Sequence, residues 1–261
     1  MLVVGVVASK ADKIVDALRD HLGTEGSVGV VSRAEVEAPS GGSRYELGAD
    51  AWRGHGGHLR VEEALDRLAR NHDAAILVNF PTARAPQIVV GDAEVRREFR
   101  RIDDPDGLDY DSMVTELRST PAADWQSLGS LVTAAKRHAD EAFAGAIATF
   151  TGRVRAKDGP DDDRTEYLAF EQYDEVADDR FAAIRSELTA RDGVYEVRLH
   201  HRTGVVEAGE DIVFVVVLAG HREEAFQAVE DGINRLKDEV PIFKKEVTVE
   251  ETFWVHEEDA R

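Results

Sequence analysis

The chain has 261 residues, enough for two ordinary domains each with its own core, and carries 52 acidic against 32 basic side chains for a formal charge of −20. That balance argues against a nucleic-acid partner, because phosphates are repelled everywhere but at a local basic patch. With no cysteine, disulfides, thiolate metal sites and thiol nucleophiles are all excluded, leaving His, Lys, Arg and carboxylates for any chemistry.

The β-branched run from Leu2 to Ala8 predicts a buried strand, and Ile14, Val15, Leu18 and Leu22 recur at helical spacing across Ala11 to Leu22. Val28 to Val31 predicts a second strand. The loop between the first strand and helix, GVVASKADK, stands where a phosphate-binding loop would stand but fails its pattern in every register. Counted from Gly5, Lys10 takes the second glycine's place; counted back from Lys13, Asp12 blocks the backbone and Ile14 replaces the magnesium-binding hydroxyl. Between Ala34 and His58 the chain reads as a long loop with a short ordered piece at YELGADAW. His55 and His58 have no third ligand nearby, so no metal is expected. A helix follows at Val61 to Arg70, then strands at Ala74 to Phe80 and Gln87 to Val90. Residues 92 to 121 read as charged loop closed by a short helix around Met113, Val114 and Leu117.

Strands alternating with helices imply an α/β domain with a mostly parallel sheet over residues 1–121, with the boundary near Pro121. The order of elements, YELGADAW and DAAILVNFPTARAPQIVVGD resemble the molybdopterin-guanine dinucleotide biosynthesis adapter family. That resemblance implies a P-loop-like fold with a degenerate loop. The family's GTP binding is not carried over, because the loop lacks the residues it needs.

Residues 122–261 predict an α+β domain with antiparallel strands. A helix is expected at Leu128 to Phe143, then a strand from Gly145 to Arg155 and an acidic loop from Ala156 to Arg164. Further strands are expected at Thr165 to Tyr173, Glu196 to Val206, Asp211 to Leu218 and Glu246 to Val255. Helices are expected at Val176 to Leu188 and after His221. The last helix carries Phe226, Val229, Ile233 and Leu236 in a stripe and cannot continue regularly beyond about Val240, because Pro241 follows. At about 100° per residue Lys237 lies about 20° from Phe226, which places it on the face expected to be buried.

Three of the chain's seven lysines fall within Arg235 to Glu246. Lys237 has two readings from its position: a cation capping a helix C-terminus, or a lysine crowded by Lys244 and Lys245 and made usable as acid, base or nucleophile. Arg153 and Arg155 alternate at a strand end, where an arginine is either simply solvated or part of an anion site. His221 and Arg222 open a helix, where cations oppose the dipole. His200 and His201 point to opposite faces of a strand and are not assigned to a site.

GAIATFTGRVR, LHHRTGVVEAGEDIVFVVVLAGHREEAF and INRLKDEVPIFKKE, in this order and spacing, resemble the catalytic large subunit of molybdopterin synthase. The resemblance implies an enzyme of molybdenum cofactor biosynthesis. In it, a small ubiquitin-like sulfur-carrier subunit ending in Gly-Gly delivers sulfur from a C-terminal thiocarboxylate to cyclic pyranopterin monophosphate, giving the dithiolene of molybdopterin. It further implies Lys237 and Lys244 as catalytic groups, with Arg153, Val154, Arg155, His221, Arg222, Lys245 and Glu246 binding substrate. A homodimer with a small subunit at each end is implied as well, and no separate cofactor. The alternative is a non-catalytic scaffold for cofactor-assembly proteins. No apolar run reaches bilayer-spanning length and no secretory pattern opens the chain, so a cytoplasmic protein with no membrane partner is expected. Dense carboxylates with few lysines fit a halophilic proteome.

Overall fold

The computed structural model describes residues 1–24, 26–35, 44–47, 52–120, 123–249 and 252–255, and divides into two compact units, Met1–Ser130 and Leu131–Arg261. In the first unit the chain runs through β1 (Leu2–Val7), α1 (Asp12–Gly23), β2 (Val28–Ser32), β3 (Arg44–Leu47), β4 (Trp52–His55), α2 (Val61–Leu68), β5 (Ala74–Val78), β6 (Gln87–Val90), β7 (Glu98–Ile102) and α3 (Tyr110–Arg118). Five strands form one parallel sheet in the order β2-β5-β1-β6-β7. Its apolar central strands need cover on both faces, and alternation along β1 supplies it. Val4 and Val6 pack with Ile14 and Leu18 of α1 and Met113 and Leu117 of α3, while Val3 packs with Leu65 of α2. The parallel α/β expectation is met.

β7 was not expected, because EFRRI reads as charged loop. It is an edge strand, and its arginines find carboxylates at Glu116 and Glu98. The ordered piece YELGADAW is the β3–β4 hairpin, whose residues 48–51 lie outside the described residues. Pro121 also lies outside them. Downstream of it the Trp125 amide donates to the Met1 carbonyl at 2.8 Å and its indole donates to Asp66 at 2.9 Å, holding this stretch to the first unit.

α4 (Leu128–Ala135) is shorter than the helix expected to reach Phe143; Arg137 and His138 already bond back only three residues, closing it off. The second unit continues with β8 (Ala146–Arg153), β9 (Thr165–Gln172), α5 (Asp174–Thr189), β10 (Val194–His201), β11 (Gly204–Glu207), β12 (Asp211–Ala219), α6 (Arg222–Glu239), β13 (Ile242–Thr248) and β14 (Thr252–Val255). All its strand pairs are antiparallel, in a sheet β10-β12-β8 and a second sheet β11-β9-β13-β14. Two expected strands are each divided. Glu196 to Val206 breaks after His201, and Gly204 at φ 76° turns the chain from the first sheet into the second. The closing strand expected at Glu246 to Val255 is β13 followed by β14, and β13 begins at Ile242, directly after Pro241.

α5 and α6 cover one face of the three-stranded sheet, burying Ile184, Leu188, Ala225, Ala228 and Leu236 against Val197, Val215 and Val217. The expected buried stripe of α6 is corrected here. Phe226 is 65% exposed, and the buried side runs through Ala225, Ala228, Gly232, Ile233 and Leu236. Small residues let the helix close on the sheet; a Cβ at Gly232 would sit 3.1 Å from Val215 Cγ1. Lys237 does share a side with Phe226, but that side faces outward and Lys237 is exposed. No helix among the described residues is long and apolar enough to cross a membrane.

Candidate active site

The second unit holds a cavity of about 740 Å³, within the range that accommodates a small organic ligand. β13 follows α6 after only Val240 and Pro241, so the last turn of the helix and the first residues of the strand face one space. Along β13 the residues Ile242, Lys244 and Glu246 share the side that lines the cavity. Leu168 and Phe170 of the paired strand β9 add apolar wall, and Lys237 enters from the last turn of α6.

That last turn is braced by Arg235. Its guanidinium bonds Glu239 at 2.6 Å and Glu187 of α5 at 2.9 Å, and holds the Glu239 carboxyl below its usual range. The end of β8 supplies the other cations. Val154 is 2% exposed, packed with Leu168, Phe170 and Val206, and its amide donates to the Glu210 carbonyl at 2.9 Å. With Val154 anchored, Arg153 and Arg155 on either side both reach the cavity. Arg153 bonds the Gly209 carbonyl and pairs with Asp211 at 3.0 Å; Arg155 pairs with Asp158 at 2.8 Å. Both arginines are otherwise well exposed, so an incoming anion competes with single, solvated carboxylates.

Arg153, Arg155, Lys237, Lys244 and Glu246 are therefore brought together, with Val154 as the buried anchor between the arginines. Three other expected site residues stand apart. Lys245 points from β13 to the opposite face, its ammonium 5.7 Å from the centre of the Trp254 ring. His221 precedes α6 without a capping bond from its side chain, and Arg222 is the first residue of the helix, paired with Glu223 at 2.7 Å. Fifteen residues of helix, roughly 22 Å, separate Arg222 from Lys237.

Sequence reasoning missed Thr165 and His201. Thr165 is 5% exposed and its hydroxyl donates to Glu246, fixing that carboxylate at the cavity wall. His201 ends β10 and lines the cavity, whereas His200 stacks on Phe214. The alternation of a strand predicted that only one of the two could face a site. The signal for which one was the Arg202-Thr203-Gly204 break, invisible as long as Glu196 to Val206 read as one strand.

A cavity that gathers four cations against apolar walls has the chemistry to suit a small anionic organic molecule. The family model described as MoaE protein matches residues 124–239. A probable molybdopterin synthase from Haloferax volcanii is 47% identical over 264 residues, covering 98% of this chain and all of the relative. The molybdopterin synthase catalytic subunit of Pyrococcus abyssi is 40% identical over 111 residues, 42% of this chain and 74% of its own. Among solved structures, molybdopterin synthase from Staphylococcus aureus is 33% identical, covering 44% of this chain and 82% of that one at a TM-score of 0.41. The chain belongs to the molybdopterin synthase family. It is an enzyme of molybdenum cofactor biosynthesis, and the first unit is shared with the Haloferax relative because that match runs the length of both chains.

Proposed function

We propose that the chain catalyses sulfur transfer from the C-terminal thiocarboxylate of a small sulfur-carrier subunit to cyclic pyranopterin monophosphate, forming the dithiolene of molybdopterin. The observation that carries this reading is the convergence of Lys237 and Lys244 with Arg153 and Arg155 on one cavity in a chain of net charge −20. Both reactants are anions, a phosphate ester and a thiocarboxylate. Only a local concentration of cations can hold them together on so acidic a protein. Arg153 and Arg155 take the role of phosphate ligands, for which the guanidinium fork is suited. Lys237 and Lys244 stand at the reacting carbons, where a compact ammonium can stabilise developing negative charge and pass a proton. Glu246, held by Thr165, orients this end of the cavity.

Each thiocarboxylate carries one sulfur and a dithiolene needs two, so the product requires two deliveries. The apolar walls at Leu168 and Phe170 admit an extended glycine-rich tail, which has no side chains to clash. His221 and Arg222 contribute from the other protomer of a homodimer. Their distance along α6 from Lys237 favours that arrangement over a single-protomer site. Residues 122–261 form the synthase domain, and residues 1–121 the adapter-like domain, in a cytoplasmic assembly.

The test is reconstitution. Full-length protein, thiocarboxylated small subunit and cyclic pyranopterin monophosphate should yield dithiolene product detectable as its oxidised fluorescent derivative. A scaffold would bind the partner and give none.

A further inference from the structure

The sulfur-transfer reading uses the cavity's cations and leaves its imidazole without a task. His201 stands at the end of β10, half-buried, where the chain turns from one sheet to the other. Its Nδ1 lies 2.8 Å from the Arg202 carbonyl oxygen. A carbonyl can only accept, so Nδ1 carries the proton and Nε2 keeps a lone pair. The ring is held edge-on against Phe170, with centroids 4.8 Å apart and planes at 74°. Burial pushes the imidazole from 6.5 down to about 4, so the ring is neutral at working pH.

The surroundings explain why a neutral acceptor matters. Arg153, Arg155, Lys237 and Lys244 can only donate hydrogen bonds. Asp158 is engaged by Arg155 and Glu246 by Thr165. Asp238, the remaining acidic side chain of the lining, would set a carboxylate against the phosphate. No partner for Nε2 is found among the described residues. A ligand that is phosphorylated at one end and heterocyclic at the other needs an acceptor for its ring N–H groups. A carboxylate in that place would repel the phosphate, and a neutral imidazole does not.

We propose that His201 is a substrate-binding residue whose Nε2 accepts a hydrogen bond from an N–H of the substrate's heterocycle while the cations hold its phosphate. The assignment rests on the sulfur-transfer reading for the identity of the substrate. It makes His201 a specificity determinant: a ring that presents an acceptor at this position meets a lone pair and is rejected, as sites built for one polar group reject its mismatch.

The experiment compares full-length His201→Phe and His201→Gln with the unaltered protein, using cyclic pyranopterin monophosphate as the probe. Phenylalanine keeps a flat ring against Phe170 and removes the acceptor; glutamine restores one. Loss of a hydrogen bond of this kind should raise the substrate KM about tenfold in His201→Phe, with a smaller change in kcat and unchanged binding of the small subunit, and His201→Gln should recover most of it. A KM within twofold of the unaltered protein in a folded His201→Phe overturns the assignment. If that variant fails to fold, the ¹⁵N resonance of Nε2 in the unaltered protein decides. It should move when the substrate is added, and a resonance that stays in place overturns the assignment. Failure of the underlying reading looks different. Full product formation by Lys237→Ala removes the sulfur-transfer reading, whereas an inactive Lys237→Ala with an unmoved KM in His201→Phe removes the His201 assignment alone.

Discussion

The two faces of β13 carry adjacent lysines in opposite settings. Lys244 lines the cavity with Ile242 and Glu246, whereas Lys245 lies over the Trp254 ring beside a partly exposed Phe243, itself edge-on to Tyr173 at 5.7 Å. One residue of register separates a cation lining the cavity from one in a surface cation–π contact. A cluster of like residues in sequence is divided by the pleat of a strand, and only one half of it meets the cavity.

The sharpest way to break this comparison is to truncate each lysine in turn. Lys244→Ala should lower product formation by about 10²- to 10⁴-fold, the usual contribution of a group acting in proton transfer. Lys245→Ala should change it little and cost about 0.5–1 kcal/mol of stability, the worth of an exposed cation–π pair. Steady-state rates and thermal melts check both. Equal losses from the two lysines would mean that the outer face takes part in the reaction.

The first unit offers a second contrast. Where a phosphate-binding loop would leave its amides open, the Ala8 amide donates to the Asn79 side chain at 3.1 Å, with Asn79 in the left-handed conformation at φ 61°. The Ala8 amide of this loop is thus occupied by a side chain from the end of β5, and the proposed chemistry uses residues of the second unit alone. Gly5→Ala should therefore separate stability from activity. The new Cβ would stand 2.8 Å from Cγ of the fully buried Gln87, and overpacking of this kind costs about 1–3 kcal/mol. A lowered Tm with product formation per folded molecule unchanged is the expected result. A matching loss of activity would tie the first unit to the reaction.

A smaller effect comes from His201. Its folded pKa of about 4 lies below the ordinary 6.5, so between those values the unfolded chain binds the proton more readily and stability falls as the pH drops. The decline in Tm from pH 6.5 to 4 should be shallower in His201→Phe. An identical decline would show that the ring titrates normally.

Much of this was legible in the sequence, and the omissions have physical causes. Helical spacing and β-branched runs marked α1, β1, β5 and β12, because burial on one or both faces writes a period into the side chains. β7 left no such trace, since an edge strand can be built of arginine and glutamate. The period placed Lys237 and Phe226 on one side of α6 correctly but could not say which side the sheet covers. Ala225, Ala228 and Gly232 decide that through close approach, and small residues weigh little in a hydrophobic pattern. For the candidate site, the family resemblance pointed to Lys237, Lys244, Arg153 and Arg155, and these four line one cavity. It could not separate Lys245 from Lys244 while the turn after Pro241 was unplaced, nor find His201 without the break that turns β10 into β11.

The central claim, that Lys237 acts at the reacting centre, is tested most directly by Lys237→Arg. Arginine keeps the positive charge at the helix end and the apolar stem, so a capping role, worth about 0.3–1 kcal/mol, would survive the change. Guanidinium does not give up a proton near neutral pH and is broader than an ammonium. Dithiolene formation by the full-length variant, measured with thiocarboxylated partner and cyclic pyranopterin monophosphate, should fall by at least about 10²-fold while folding and partner binding persist. Near-normal product from Lys237→Arg would contradict the account and return the residue to the role of a helix cap.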